Sequence, residues 1–289
     1  MEKNRNNKLS IGSANFGLFY TSDKIKLKKK EIFQILNLAK KNKIYSIDTA
    51  QDYKKSEKII GDYIRTQKIK RWEITTKISN KKLNIAELLK KSNKNLSILP
   101  SDLLVHNSND FLNDKFRNDL IEIKNRKKIR IGVSLYSKDE VYRVLDKYVP
   151  DTIQMPINIL NKKIYTSGLL KLLKEKKINI QVRSIFLQGL FFKDHNFIKR
   201  KFSSIYFPFI KLKDIANSNN LTLSELSLMF INSIKEVNKI IIGINSAKEI
   251  EKNIKIIKNK ISKKIIDEIM DVNEGNIDFL KVLSNWKLK

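Results

Sequence analysis

The chain contains 289 residues, of which 59 are Lys or Arg and 30 are Asp or Glu, so its formal net charge at pH 7 is +29. It has no cysteine and two histidines. This composition excludes disulfides, thiolate nucleophiles, cysteine-ligated zinc and iron–sulfur clusters, and it argues against a histidine-rich metal site. The glycines form neither the G-x-G-x-x-G pattern nor G-x-x-x-x-G-K, which excludes the common dinucleotide fingerprint and the phosphate loop.

The large positive charge raises the question of binding to nucleic acid or to an anionic membrane. We favour a simpler origin, because Lys, Asn and Ile dominate even helix faces with no evident role, as expected for an A/T-rich genome. No basic cluster alternates with aromatic residues that could stack on bases. We therefore expect no specific nucleic-acid partner, although the positive field should attract anionic substrates and cofactors in a salt-dependent way.

The sequence contains no apolar stretch close to the ~20 residues that a membrane-spanning helix requires. The first eight residues lead directly into Leu9 without the apolar segment of a signal peptide. We therefore expect a cytoplasmic protein with no membrane partner.

Short β-branched segments alternate with longer amphipathic segments along the whole chain. The eight predicted strands are Leu9–Gly12, Ile44–Asp48, Trp72–Lys77, Asp102–His106, Ile129–Ser134, Thr152–Met155, Ile178–Ser184 and Lys239–Gly243. Between them, apolar residues recur at intervals of three and four, which is typical of helices with one buried face. Alternating strands and helices predict a parallel sheet with right-handed crossovers, and eight such repeats predict a closed (β/α)8 TIM barrel of the α/β class.

Three of the predicted helices have a recognisable start. A Ser or Thr is followed three residues later by Glu, which is the pattern of a capping box that satisfies the free amides of the first turn. The pairs are Ser137 with Glu140, Thr222 with Glu225, and Ser246 with Glu249.

The segment 186–212, after the seventh strand, is irregular and rich in both aromatic and basic residues. A loop of this length is usually functional or disordered, and the aromatic residues argue against disorder. We therefore predict a long loop that folds over the mouth of the barrel. From Ser262 onward the pattern predicts an extra C-terminal helical segment. No linker or internal repeat interrupts the chain, so a single domain over 1–289 is expected.

The active site of such a barrel lies at the carboxyl ends of its strands. Polar residues stand at or near most of these ends, namely Asp48, Lys77, His106, Ser134, Gln154 and Ser184. Tyr53 follows Asp48 by five residues. The sequence thus predicts a pocket in which a carboxylate, an amine, an imidazole and a phenol meet.

These four groups would form a proton-donating set. Asp48 can pair with Lys77, and the ammonium would then stabilise the phenolate of Tyr53 and lower its pKa from the reference value of ~10. Such a phenol can protonate a carbonyl oxygen as hydride reaches the carbon, a proton transfer typically worth ~10²–10⁴-fold in rate. His106 would orient the carbonyl by a hydrogen bond. Each residue also has a structural alternative, because a strand-end Asp can cap a helix, a Tyr can pack, and a lone His is often structural.

Several motifs occur in a fixed order along the chain. They are Asp48-Thr49-Ala50-x-x-Tyr53-x-x-Ser56-Glu57-x-x-x-Gly61, Thr75-Thr76-Lys77, Asp102-Leu103-Leu104-Val105-His106, Ile131-Gly132-Val133-Ser134, Gln154-x-x-x-Asn158, Ser184-x-x-x-x-Gly189 and Ile241-Ile242-Gly243-x-x-Ser246, which leads to Asn253. In number and order they resemble the aldo-keto reductase family over nearly the whole chain. The resemblance implies an NADP-dependent oxidoreductase that reduces an aldehyde or ketone to an alcohol. It also implies that NADPH, or alternatively NADH, binds across the barrel mouth without a Rossmann domain.

The resemblance implies that Asp48, Tyr53, Lys77 and His106 are the catalytic residues. It implies a cofactor site composed of Ser13, Asp48, Ser134, Gln154, Arg183, Ser184, Phe186, Gly189, Gly243, Ser246, Lys248, Lys252 and Asn253. In that site Ser134 and Gln154 would hold the nicotinamide carboxamide. Segment 184–189 would cover the pyrophosphate, and segment 243–253 would take the adenosine end, where the start of a helix favours a phosphate.

The chain departs from the family pattern at four positions. Lys54 replaces the glycine usual after the catalytic Tyr, and Leu135 replaces an Asn found in many members. Arg183 stands where an aromatic residue often stacks on nicotinamide, and its guanidinium could stack there or reach an anionic group. Glu249 stands where members that prefer the 2′-phosphate often have Arg.

The charges near Glu249 bear on the choice between NADPH and NADH. Lys248 and Lys252 could compensate the negative charge of Glu249, so NADPH is favoured over NADH. The aromatic segment after the seventh strand suggests an apolar wall, while the positive charge would suit an anionic substrate such as a phosphorylated or nucleotide-linked sugar. Family resemblance implies a monomer or a weak homo-oligomer. The alternative function is a catalytically weak cofactor-binding or regulatory barrel protein, because a fold does not fix a function.

Overall fold

A closed barrel of eight parallel strands, paired in chain order, forms the centre of the protein. The computed structural model describes residues 8–18, 27–67, 71–79 and 84–273. The strands are β1 (Leu9–Gly12), β2 (Ser46–Asp48), β3 (Glu73–Ile78), β4 (Asp102–Val105), β5 (Arg130–Ser134), β6 (Thr152–Pro156), β7 (Asn179–Arg183) and β8 (Lys239–Gly243). Pairing of β1 with both β2 and β8 closes the ring. The predicted (β/α)8 barrel is confirmed, and the strand ends differ only slightly from the prediction.

Helices follow the strands and surround the barrel. They are α1 (Ala14–Gly17), α2 (Lys29–Lys41), α3 (Ser56–Gln67), α4 (Ile85–Leu96), α5 (Ser108–Leu112), α6 (Asp114–Lys127), α7 (Lys138–Lys147), α8 (Lys163–Thr166), α9 (Leu169–Glu175), α10 (His195–Lys201), α11 (Ser203–Ser218), α12 (Leu223–Ser233), α13 (Ala247–Lys258) and α14 (Lys263–Asp271), with a 3-10 segment at Leu187–Phe192. Within the described ranges, none of them combines the length and the apolar character needed to cross a membrane. That the whole chain 1–289 forms one domain stays a prediction.

The strands alternate between two environments, as a period of two requires. One set of side chains is apolar and fully buried, and Ile47, Ile74, Ile153 and Ile180 are typical of it. The alternate positions carry polar side chains that hydrogen-bond to one another across the interior. For example, the Gln181 amide nitrogen donates to Thr75 Oγ1 at 3.1 Å. The barrel interior is therefore a hydrogen-bonded polar core enclosed by an apolar layer.

The Ser-Glu-x-x-x-Gly part of the first motif is structural. Glu57 is buried, and its carboxylate accepts hydrogen bonds from Thr76 Oγ1 at 2.8 Å, Ser92 Oγ at 2.7 Å and Asn95 Nδ2 at 3.1 Å. A Cβ atom on Gly61 would lie 1.8 Å from the Asn95 carbonyl oxygen. Both residues therefore serve the close packing of α3 on α4, next to the strand that carries Lys77.

The segment after β7 corrects the prediction of a long loop. Residues 195–218 form two consecutive helices, α10 and α11, and Asp194 caps the first by accepting from the Phe197 amide at 2.9 Å. In α11 the buried residues Ile205, Phe209, Leu212 and Ala216 recur at intervals of three and four, which is the helical period. Of the aromatic residues in α11, Phe209 belongs to this buried face, whereas Phe207 is exposed. Pro208 inside α11 interrupts the sequence signal.

The three predicted helix starts are all observed. Complete capping boxes begin α7 at Ser137 and α12 at Thr222. Ser246 caps α13, but Glu249 accepts instead from the Asn245 amide at 2.8 Å. Local polar patterns thus predict helix starts well, because the first turn of a helix needs acceptors for its free amides.

The predicted extra C-terminal helix is present as α14, and a lysine holds its end. Lys162 is 4% exposed. Its ammonium donates to the carbonyl oxygens of Ile269 at 2.6 Å, Met270 at 3.2 Å and Val272 at 2.6 Å. The carbonyl groups at a helix C-terminus lack partners within the helix and carry a partial negative charge. The Lys162 ammonium supplies hydrogen-bond donors to these carbonyls and a positive charge beside them. It thereby holds α14 against the segment after β6.

Replacement Lys162→Met should lower the free energy of unfolding by about 2 kcal/mol, because hydrogen bonds to a charged donor are lost and buried carbonyls remain unpaired. Urea unfolding monitored by circular dichroism measures this change. Lys264→Met, on the exposed side of the same helix, is the matched control and should change stability little. Equal effects of the two replacements would contradict this role of Lys162.

Candidate active site

A cavity of about 290 Å³ opens at the carboxyl ends of the strands. Among the predicted site residues, its wall contains Asp48, Tyr53, Arg183, Ser184, Phe186, Gly189, Gly243, Lys252 and Asn253. The other predicted residues, which are Ser13, Lys77, His106, Ser134, Gln154, Ser246 and Lys248, lie outside this wall. The cavity is thus where the barrel geometry places an active site.

An ion pair between two adjacent strands lies at the base of the site. Lys77 Nζ on β3 donates to Asp48 Oδ1 at the end of β2 at 2.6 Å, and the two side chains are 1% and 5% exposed. Burial lowers the pKa of the Lys77 ammonium, and the nearby Asp48 carboxylate opposes that shift. Gln154 Nε2 adds a second hydrogen bond to Asp48 Oδ1 at 2.8 Å. The carboxylate therefore has both a counter-charge and a neutral donor.

Tyr53 lies against this ion pair. Lys77 Nζ is 5.3 Å from the centroid of the Tyr53 ring. A turn after β2 holds the residue, because the Tyr53 amide donates to the Ala50 carbonyl at 3.0 Å. A Cβ atom on Gly17 would lie 1.9 Å from the Tyr53 carbonyl oxygen, so only glycine permits the close approach of α1 to this turn. The backbone thus fixes the phenol at the edge of the cavity.

The residue after Tyr53 is one of the departures from the family pattern. Lys54 has φ of 50°, in the left-handed region where glycine is favoured. A lysine in this conformation costs of order 1 kcal/mol. The glycine usual in the family therefore serves backbone geometry, and Lys54 adopts the same conformation with an exposed side chain.

His106 follows β4 and is close to Tyr53, with ring centroids 6.1 Å apart in an edge-to-face arrangement. Its Nδ1 lies 3.1 Å from Asp52 Oδ2, and the same carboxylate oxygen accepts from Ser79 Oγ at 2.9 Å. Burial lowers the pKa of His106, and the Lys77 charge lowers it further, whereas Asp52 raises it. The structure thus brings all four predicted catalytic residues together, and it adds Asp52.

The residues expected to hold a nicotinamide carboxamide are buried beside the ion pair. Ser134 on β5 is paired in register with Gln154 on β6. Gln154 Nε2 donates hydrogen bonds to Asp48 Oδ1 at 2.8 Å and to Gln181 Oε1 at 3.2 Å. Gln154 Oε1 is buried and has no hydrogen-bond partner within the described part of the chain. A carboxamide NH2 group would supply the donor that this oxygen lacks.

The wall segment after β7 has an unusual backbone. Ser184, Leu187, Gln188 and Gly189 have φ values of 58°, 46°, 53° and 96°. Such conformations cost energy in non-glycine residues and cluster at functional sites. Three of the four, Ser184, Gln188 and Gly189, contact the cavity. The segment therefore has the strained geometry expected of a ligand-binding turn.

The opposite end of the cavity is formed by β8 and α13. Glu249 contacts the cavity, while its carboxylate accepts from the Asn245 amide. Lys252 Nζ lies 3.2 Å from Glu225 Oε1, so its charge is partly neutralised. Lys248 is exposed. Glu249, the acidic residue in the cavity wall, thus binds a backbone amide at the start of α13, and this structural role explains its presence.

Ser13 lies beneath the site and outside the cavity wall. It is fully buried, and its hydroxyl donates to the Asp48 carbonyl at 2.8 Å. Ser56 Oγ donates to Ser13 Oγ at 2.7 Å. Ser13 therefore helps to fix the end of β2, and thereby the Asp48 side chain.

Sequence reasoning missed the wall residues Asn15 and Ser224, and it included Gln188, Phe192 and Asn245 only as members of predicted segments. Asn15 Nδ2 donates to the Ile244 carbonyl at 2.6 Å, and Asn15 Oδ1 is buried without a partner among the described residues. Asn15 belongs to the four-residue helix α1, which has no strand-end or motif signal. The turn conformation of Gln188 is equally invisible in sequence, because glutamine rarely adopts it.

Arg183, at the end of β7, contributes a further charge to the cavity. Its guanidinium carbon lies 4.3 Å from the centroid of the Tyr136 ring, and Nη2 lies 3.4 Å from the Leu135 carbonyl oxygen. Within the described ranges Arg183 has no acidic partner. The cavity therefore contains a guanidinium that stacks on an aromatic ring and can accept an anion. The same ranges contain no group of three or more His, Cys, Asp or Glu able to hold a metal ion.

Replacement Asp48→Asn should lower the free energy of unfolding by about 3 kcal/mol, because it leaves Lys77 buried without a counter-charge. The double replacement Asp48→Asn with Lys77→Met should recover part of this loss, since it removes the uncompensated charge. Urea unfolding of the two single variants and the double variant measures the coupling. Additive losses would contradict the buried ion pair.

Comparisons with known proteins give a matching family model and solved structures of the same fold. The model of the aldo/keto reductase family matches residues 8–274. The search of curated proteins found no match. Among solved structures, the thermostable aldo-keto reductase Tm1743 in complex with the inhibitor epalrestat has a TM-score of 0.73 at 20% identity, covering 92% of this chain and 95% of that one.

Two further solved structures have the same fold. An aldo/keto reductase from Klebsiella pneumoniae, in complex with NADP and acetate, has a TM-score of 0.72 at 16% identity and covers 91% of this chain and 89% of its own. The holo form of an aldo-keto reductase from Bacillus halodurans has a TM-score of 0.74 at 16% identity and covers 94% of both chains. At these identities the structures establish the fold, while the family model spans most of the chain. The chain therefore belongs to the aldo/keto reductase family.

Proposed function

We propose that the protein reduces an aldehyde or ketone to an alcohol with NADPH, and that Tyr53 is the general acid. One observation carries this proposal, the buried ion pair of Asp48 and Lys77 against the Tyr53 ring at the cavity. A phenol is a weak acid, and an adjacent ammonium stabilises the phenolate that remains after proton transfer. The arrangement therefore favours proton donation to a developing alkoxide.

Each residue has a defined part in the proposed reaction. NADPH, when bound, supplies the hydride that reaches the carbonyl carbon. Tyr53 donates its hydroxyl proton to the carbonyl oxygen. Lys77 stabilises the resulting phenolate, Asp48 keeps Lys77 charged, and His106 interacts with the carbonyl oxygen to orient it. The cavity walls position the substrate beside Tyr53.

The cofactor site is proposed from the residues around the cavity. Ser134 and Gln154 would bind the carboxamide, and the unpartnered Gln154 Oε1 supports this assignment. Residues of segment 184–189 would contact the pyrophosphate, and those of segment 243–253 the adenosine end. The net charge of +29 and the NADP bound by the Klebsiella pneumoniae relative support NADPH over NADH. Glu249 opposes this preference less than a free carboxylate would, because the Asn245 amide binds it.

Tyr53→Phe should abolish NADPH-dependent turnover, with a loss of about 10²–10⁴-fold or more. The binding of NADPH should change little, since the ring remains and only the hydroxyl is removed. Turnover is measured from nicotinamide absorbance over a panel of aldehydes and ketones, and binding from the quenching of protein fluorescence.

The same assays separate the alternatives. Turnover retained by Tyr53→Phe would refute Tyr53 as the general acid. A wild-type protein that binds NADPH but oxidises none of it across the panel would instead support the regulatory, cofactor-binding function.

We further propose that the preferred carbonyl substrate is anionic. Arg183 supports this, because it contacts the same cavity as Tyr53 and lacks an acidic partner in the described ranges. Stacking on Tyr136 holds the guanidinium in place while its edge remains able to bind a carboxylate or phosphate. An anion at this point would also reduce the repulsion between Arg183 and Lys77 that lowers the lysine's pKa.

Arg183→Met should raise KM for 4-carboxybenzaldehyde by about tenfold to a hundredfold, as expected for the loss of a charged hydrogen bond. The kinetic constants for benzaldehyde should change much less. Arg143→Met, on the exposed face of α7, is the matched control. Equal effects of Arg183→Met on both aldehydes would assign Arg183 to cofactor binding instead of substrate binding.

A further inference from the structure

Asp52 lies directly before Tyr53 and beside His106. It occupies one of the two unspecified positions between Ala50 and Tyr53 in the family motif, so the resemblance assigns it no role. Its Oδ2 lies 3.1 Å from His106 Nδ1 and accepts from Ser79 Oγ at 2.9 Å. The side chains of His106 and Asp52 are 26% and 34% exposed. This contact joins the turn that holds Tyr53 to the end of β4.

We propose that Asp52 is a positioning residue that keeps a proton on Nδ1 of His106 and leaves Nε2 as the nitrogen available to Tyr53 and the substrate. A carboxylate is only an acceptor, so the 3.1 Å contact requires His106 Nδ1 to be the donor. In a neutral imidazole the other nitrogen then carries no proton. Free neutral histidine prefers to carry its proton on Nε2, and the Asp52 carboxylate reverses this preference in His106.

The tautomer has a consequence for the reaction, and this part rests on the proposed function. Neutral His106 in this form can accept a hydrogen bond at Nε2 but cannot donate one to a carbonyl oxygen. Donation requires the imidazolium, in which both nitrogens carry protons. His106 therefore assists reduction in its protonated form, and Asp52 stabilises that form.

The charged and titratable groups around His106 act in opposite directions. Burial and the Lys77 ammonium on β3 lower the pKa of His106. Asp52 from the turn after β2, and Asp48 at the end of β2, raise it. The Tyr53 ring packs edge-to-face against the His106 ring. The Asp52 contact thus keeps the pKa of His106 from falling further. Removing the Asp52 carboxylate should therefore make His106 take up its proton at a lower pH.

The chain is well suited to a direct test, because His106 and His195 are its two histidines. Histidine-selective 15N labelling gives two imidazole signal sets, and His195→Gln assigns them. In the wild type, neutral His106 should carry its proton on Nδ1. Asp52→Ala should move that proton toward Nε2, the form that free histidine prefers. Asp52→Asn should lower the proton affinity of His106 by about tenfold, equivalent to one pKa unit.

The kinetic test follows kcat/KM for carbonyl reduction as a function of pH. In the wild type the rate should rise as pH falls through the pKa of His106. In Asp52→Asn the same rise should occur about one pH unit lower, so that kcat/KM in the sloping region falls about tenfold. Asp214→Asn, an equal change of charge on the exposed side of α11, should leave the profile unchanged.

The outcomes are distinguishable from failure of the proposed function. A neutral His106 that carries its single proton on Nε2 in the wild type, or an unchanged tautomer in Asp52→Ala, would overturn the proposal. The nuclear magnetic resonance result does not require turnover, so it stands even if Tyr53→Phe retains activity. Should Asp52→Ala fail to fold, Asp52→Asn keeps the side-chain volume, and an unshifted His106 titration in that variant would equally refute the assignment.

Discussion

A buried ion pair sets the conditions for the rest of the site. Removing Lys77 and Asp48 from water is costly, and their attraction offsets that cost only with close contact and further hydrogen bonds. The barrel provides both, because adjacent parallel strands place the two groups 2.6 Å apart and Gln154 donates from β6. A closed ring holds this geometry more firmly than an open sheet would, since no strand can separate from its neighbours. The phenol of Tyr53 then lies beside a fixed positive charge.

The interior beneath the ion pair is built to support it. Gln154 binds Gln181, which binds Thr75, while Asp102 pairs with Arg130 further down the barrel. Polar networks of this kind are stabilising only when their members find partners. Among the described residues, the buried unpartnered side-chain atoms are Asn15 Oδ1, Gln154 Oε1 and Trp72 Nε1. Of these three residues, Asn15 contacts the cavity. Gln154 adjoins the ion pair outside the cavity wall, and Trp72 packs against Tyr45 and Tyr63.

The features of the fold and the site that depend on local sequence pattern and on strand order could be predicted from the sequence. Asp48 and Lys77 end consecutive predicted strands, so their meeting followed from the parallel barrel alone. Helices α10 and α11 were missed because Pro208 and the many aromatic residues obscured a helical period. The contacts of Asp52 and Asn15 were missed because they join segments that are distant in sequence. Asp52 fills an unspecified position of the motif, and no motif includes Asn15. The Glu57 and Gly61 positions, by contrast, look like functional motif residues but serve helix packing.

Hydride transfer to carbon, coupled to proton transfer from Tyr53, is the central claim. The most direct measurement is the fate of deuterium placed at the transferring C4 position of NADPH, followed by mass spectrometry of the alcohol formed from an accepted aldehyde. One deuterium is expected on the carbinol carbon from labelled NADPH, and none there when unlabelled NADPH is used in D2O. Deuterium that enters that carbon from solvent, or alcohol that forms without the label, would contradict it.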